Sequence, residues 1–172
     1  MKKIKINLSV SSIRNAQKEL ERYRQALKSK NVEFVQKLAE IGIPIVNENV
    51  DAAQGDSDKT HNTYIKINSF QDYAQATLVC EGSDILFIEF GSGVHYNTSP
   101  GTSPNPKGAE MGYTIGSYGK GNGKNDSWFY TADTGESVRS FGTEATMPMY
   151  KASVEIIQKI HEIAKEVFGG GI

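Results

Sequence analysis

The chain has 172 residues, a hydrophobic share of 38%, 17 glycines and a net charge of -1. That length suits one domain with room for a long arm, and the near-zero charge gives no sign of wholesale nucleic-acid wrapping, although a local basic patch is compatible with it. Cys80 stands alone, which rules out an intramolecular disulfide and fits a reducing compartment. No apolar run reaches the length of a membrane span, and the opening MKKIKINLSV lacks the apolar core of a secretory signal.

In chain order, Ile4, Ile6 and Leu8 alternate with polar residues and predict a short half-buried strand. Ser11 and Ser12 offer an N-cap. Ile13, Ala16, Leu20, Tyr23, Leu27, Phe34, Leu38 and Ile41 then step mostly by three and four. They predict an amphipathic helix of about eight turns, roughly 40 Å long, stopped by Gly42 and Pro44. Such a helix either lies on a sheet or overhangs a small body and packs on neighbouring subunits. Ile43 to Val50 reads as a short strand or as more helix, and Asp51 to Asn62 as a polar loop. The loop's Asp51, Asp56, Asp58 and His61 invite a metal reading, but the ligand order of a calcium loop is missing and no metal is expected.

Tyr64 to Ile67 and Ala74 to Glu81 predict two strands, with Cys80 a small core residue in the second. Gly82-Ser83-Asp84 is a turn, and a short turn makes its flanking strands antiparallel. Ile85-Leu86-Phe87-Ile88-Glu89-Phe90 holds five apolar residues in six positions and predicts a buried strand that carries the core. Gly91 and Gly93 let the chain turn sharply after it.

Asn97 to Lys124 is rich in Gly, Pro, Ser and Asn, and predicts an extended loop or arm at about 95–126, interrupted by one short strand at Met111 to Ile115. Trp128 to Tyr130 reads as a strand with Trp128 and Tyr130 on one face. Asp133 to Glu136 is a turn, and Ser137 to Phe141 a further extended piece. Pro148 fits the first turn of a last helix, whose stripe runs through Met149, Ala152, Ile156, Ile160, Ile163 and Val167 to a stop at Gly169 to Gly171. The expected fold is α+β: a small curled antiparallel sheet packed by a long N-terminal helix and a C-terminal helix, in a single domain.

Familiar chemical motifs fail residue by residue. In GKGNGK, Tyr118 stands where a P-loop needs its first glycine, and Asn125 where it needs Ser or Thr. Lys124 occupies the third glycine of a dinucleotide fingerprint. Lys165 replaces the second histidine of a zincin motif begun by His161-Glu162. His95 has no marked nucleophile beside it, and no G-x-S-x-G elbow occurs. No enzyme activity and no cofactor are expected. Tyr113, Tyr118, Lys120, Lys124 and Trp128 could stack on single-stranded nucleic acid, the alternative binding reading. Packing of Trp128 and Tyr130 on a sheet face is the simpler one.

Three segments carry a family likeness: Ile88-Glu89-Phe90-Gly91-Ser92-Gly93, Trp128-x-Tyr130, and Gly142-Thr143-Glu144-Ala145-Thr146-Met147-Pro148 leading into the last helix. Their order, with a long helix ahead of them, resembles the tail-completion or head–tail joining proteins of long-tailed bacteriophages, often described as neck, minor capsid or minor tail proteins. Gly55 to Ile65 departs from that family's pattern. The resemblance implies a non-enzymatic virion component assembled in the host cytoplasm into a ring, sixfold to match the tail. Its partners would be copies of itself and the adjoining neck, connector or tail-tube proteins, with DNA passing through unread and no membrane contact. It singles out Glu89, Phe90, Gly91, Gly93, Trp128, Tyr130, Gly142 and Pro148 as motif or interface residues. Near the end of its predicted strand, Glu89 could pair with a basic residue across a subunit contact.

Overall fold

The computed structural model describes residues 6–97, 103–113, 126–132 and 134–170. The order of elements is α1 (Val10–Ala52), β1 (Asn62–Ser69), β2 (Ala74–Glu81), α2 (Ile85–Phe90), β3 (Trp128–Thr131), β4 (Ser137–Ser140) and α3 (Pro148–Phe168). The fold is α+β, with two long helices and two separate antiparallel hairpins, β1–β2 and β3–β4.

Helix α1 is longer than its sequence signals suggest. It runs for 43 residues, about 65 Å at 1.5 Å per residue, with Pro44 inside it. Ser9 caps its start by accepting a hydrogen bond from the Ser12 N–H. Ile6 and Leu8, the described part of the expected first strand, lie outside any strand and are exposed. Gly42 and Pro44 do not stop the helix, because tertiary packing outweighs local propensity here. Gly42 is buried where β2 and α3 both close on α1. A Cβ there would lie 2.4 Å from Leu78 Cδ2 and 3.2 Å from Ile156 Cδ1. The glycine thus permits close approach of three elements. Pro44 faces outward, where the carbonyl that its missing N–H leaves unpaired can meet water.

Helix α3 runs antiparallel to the second half of α1. Lys30 Nζ donates to the Val167 carbonyl at 2.7 Å near one end, and Lys151 Nζ donates to Asn49 Oδ1 at 2.7 Å near the other. Phe34 and Phe168 rings meet at 5.7 Å between them. The core sits where these helices meet α2: Val46, Val50, Ala53, Ile85, Ile88 and Ala152, with Leu78 and Cys80 of β2 packed against it. Burial raises the Cys80 thiol above its ordinary pKa, as suits a core residue. The hairpin β1–β2 pairs Asn62 with Glu81 through Ser69 with Ala74, so both strands extend the predicted ones or match them.

The stretch Ile85 to Phe90 is a helix, not the expected core strand. Phe87 and Ile88 N–H groups donate to the Asp84 carbonyl, and Gly91 N–H to Phe87. The spacing explains the outcome. Ile85, Ile88 and Glu89 share one face of a helix, and all three are buried, whereas Leu86 points to solvent. A strand would have put Ile88 and Glu89 on opposite faces. Of the expected strand at Met111 to Ile115, residues 111 and 112 lie in a turn and 114–115 fall outside the described residues. Most of the predicted arm, 98–102 and 114–125, also lies outside them.

Candidate functional site

The three motif segments, far apart in sequence, meet at one joint beside the N-terminus of α3. That helix begins with no cap of its own. Met147, its N-cap, is left-handed at φ 57° and makes no side-chain cap bond, and Pro148 at the first position has no N–H to give. The donors left without an intrahelical partner are the N–H groups of Met149 and Tyr150. Glu89, only 6% exposed, accepts both: Oε2 from Met149 at 2.7 Å and Oε1 from Tyr150 at 3.0 Å. Asn105 Nδ2 donates to the same Oε1 at 2.7 Å. A carboxylate at a helix N-terminus is favoured by the helix dipole. The expected basic partner across a subunit contact is therefore replaced by a helix end within the same chain. Desolvation still dominates, and burial pushes the Glu89 pKa up despite the Met149, Tyr150 and Asn105 donors and nearby Lys151.

Part of the predicted arm serves this carboxylate. Residues 103–113 fold back onto α2. Ser103 Oγ donates to the Phe90 carbonyl, and the Tyr113 ring stacks on Phe90 at 4.1 Å, within 2° of parallel. Phe90 is buried beneath it.

The glycine turn makes the second half of the joint. Gly91 and Gly93 adopt φ 79° and 70°. Between them Ser92 exchanges both backbone hydrogen bonds with Thr143, at 3.0 and 2.9 Å. On the other side of the same segment, the Gly142 carbonyl accepts from the Asp56 N–H at 3.0 Å and Glu144 N–H donates to Gln54 at 2.8 Å. The run Gly142 to Glu144 is thus clasped between the end of α1 and the turn after α2. Trp128 closes this joint. A Cβ on Gly93 would lie 2.6 Å from its Cζ3, and one on Gly142 would lie 3.1 Å from its Cη2. The indole therefore rests on two glycines, each from a different motif segment. Tyr130, on the same strand, is exposed, as is Phe129.

Asn97 ties the halves together. It is 3% exposed. Its Nδ2 donates to the Thr143 carbonyl at 2.7 Å and lies near the Ser92 and Gly93 carbonyls, and its Oδ1 accepts from Ala145 N–H at 3.0 Å. Neither Asn97 nor Asn105 carried a signal in sequence, since each looked like one more polar residue at the edge of a low-complexity loop. Asn97→Ala should cost about 2 kcal/mol, because it strands the buried Ala145 N–H and removes the amide that bridges the Thr143, Ser92 and Gly93 carbonyls. Urea unfolding measures this, and a loss below about 0.5 kcal/mol would contradict the assigned role.

Among the described residues no three His, Cys, Asp or Glu side chains gather to hold a metal. Asp56 Oδ2 accepts from the Phe141 N–H, Asp58 Oδ1 accepts from the Thr60 N–H, and His61 bonds Asn47 and Lys59, so the loop acids and histidine face different partners. His95 pairs with Asp126 at 2.7 Å near the surface. The arrangement locks the entry of α3 to α2 and to the glycine turn. No helix among the described residues is long and apolar enough to cross a membrane. Set against known proteins, the chain matches no protein-family model, no curated protein sequence and no solved structure.

Proposed function

We propose that this chain is a structural component of a long-tailed phage or prophage particle, a tail-completion or head–tail joining protein that acts as a ring. The observation that carries the reading is the meeting of its three motif segments at one joint. Glu89 holds the start of α3, Ser92 pairs with Thr143, and Trp128 lies on Gly93 and Gly142. Residues spent on fixing the angle between elements suit a part whose work is to present surfaces in a set geometry. The partners in this reading are identical copies and the adjoining neck, connector or tail-tube proteins, with DNA passing through the ring without sequence readout.

The nucleic-acid alternative loses two of its aromatics, because the Trp128 ring is engaged on two glycines and the Tyr113 ring is stacked on Phe90. Deleting the gene tests the proposal. The expected result is unjoined heads and tails, or tails with abnormal ends, restored by the gene in trans. Normal yields of infectious particles from the deletion would overturn it.

A further inference from the structure

Strand β1 is the open rim of its hairpin. Its partner β2 lies on the α3 side, where Leu78 and Ile156 both close on Gly42. Beyond β1 no further strand follows, and among the described residues nothing hydrogen-bonds to the outward backbone groups of Asn62–Ser69. The edge runs for 8 residues and holds no proline. A row of unpaired N–H and C=O groups of that length is a template for another strand. The side chains report the same bare rim. Thr63, Ile65 and Ile67 stand opposite Cys80, Leu78 and Ala76, on the face turned to the core. Ile67 is nonetheless 39% exposed. A two-stranded ribbon is also too narrow to be stable by itself.

The opposite face of the rim carries Tyr64 and Lys66. The Tyr64 hydroxyl donates to Glu81 Oε1 at 2.5 Å, and Lys66 Nζ lies 5.2 Å from the centre of the Tyr64 ring. A cation beside this phenol and carboxylate is therefore welcome.

We propose that β1 pairs antiparallel with β1 of a second copy of this chain, centred on Ile65, so that the two hairpins join in one four-stranded sheet about a two-fold axis. Symmetry limits the registers. The axis stands normal to the sheet, so one residue must face itself and directly opposed residues share a face. A centre at Tyr64 pairs only residues 62–66, and one at Ile67 only 65–69. A centre at Lys66 pairs 63–69 but sets two ammonium groups against each other. A centre at Ile65 pairs 62–68 and opposes no like charges. It sets Ile65 against Ile65 and Thr63 against Ile67 on the core-side face, which covers the exposed Ile67. On the other face it sets Lys66 of the second copy against Tyr64, next to the Glu81 that Tyr64 already bonds. An unrelated extended peptide could use the same backbone groups, but this strand supplies its own complement in side chains and charge. The contact is closed at two copies, whereas a ring grows head to tail, so the inference goes beyond the assembly reading and does not rest on it.

The test uses the full chain. In sedimentation velocity the parent should move with rising concentration from the 18.9 kDa monomer to twice that mass and no further. Lys66→Glu should weaken the dimer by about tenfold or more, since the axis makes the new repulsion from Glu81 act twice. Lys66→Glu with Glu81→Lys restores opposite charges across the axis and should recover most of the lost affinity. Register is read by mild oxidation. Ile65→Cys should be trapped as a covalent dimer, because opposed Cβ atoms lie about 5 Å apart, while Lys66→Cys, about 7–8 Å from its mate, should not. Circular dichroism checks that each variant keeps its fold. A parent that is monomeric at about 1 mM, growth beyond two copies, a Lys66→Glu variant that associates like the parent, or trapping at residue 66 and not at 65 would each overturn the inference. Normal particles from the gene deletion would remove the virion role and leave the measured dimer standing.

Discussion

Gly142→Ala should destabilise the protein by about 3–5 kcal/mol, a large share of the 5–15 kcal/mol that holds a typical domain together. The cause is backbone against backbone. Gly142 sits at φ 86°, where a side chain costs about 1 kcal/mol or more by itself. Its added Cβ would also fall 2.0 Å from the Ser92 carbonyl oxygen and 2.8 Å from that carbonyl carbon. No rotamer change relieves such a contact. The Ser92–Thr143 pair has to open, and Trp128 has to leave its seat. Gly135→Ala is the control. Its φ of 82° carries the same conformational strain, but nothing lies within 4 Å of the new methyl group. It should cost only about 1 kcal/mol. Denaturant midpoints of the two variants separate the close approach from the strain, and equal losses would show that Gly142 is needed only for its backbone angle.

That contrast marks what the sequence could reveal. The hairpin β1–β2 was legible because alternation and short turns report on local backbone, and β2 falls on the predicted Ala74 to Glu81. The start of α3 at Pro148 was legible for the same reason. Two misreadings share one origin. Gly42 and Pro44 resemble a helix stop, but Gly42 is small because Leu78 and Ile156 crowd it from other elements. Ile85 to Phe90 resembles a strand because six residues are too few for periodicity to choose, and burial by α1 and α3 chose the helix. Of the motif residues, Gly91, Gly93, Trp128, Gly142, Pro148 and Glu89 converge, but the partner of Glu89 was not legible. A carboxylate that caps a helix about sixty positions away leaves no spacing signal. The same holds for Asn97, whose partners come from both halves of the joint.

Glu89→Ala should cost about 3–4 kcal/mol, since it strands the Met149 and Tyr150 N–H groups and the Asn105 amide in a buried place. Glu89→Gln keeps the volume and one acceptor but turns an NH₂ toward donors, and should cost about 2 kcal/mol near neutral pH. The pair of variants also reads out the protonation of the site. Burial sets the folded pKa of Glu89 above its ordinary 4.5. Between the two values the folded chain holds a proton that the unfolded chain has released, so stability falls as pH rises through that window. The contribution of this group is complete below the unfolded value and is lost as pH climbs through the folded one. Gln cannot titrate. The stability advantage of the wild type over Glu89→Gln should therefore be largest in mild acid and shrink as pH rises from about 4 towards 7. Melting temperatures of both proteins across that range measure it. An advantage that grows with pH would mean that the helix end and the Asn105 amide outweigh desolvation, and that the carboxylate is a net anchor for α3 in its charged form.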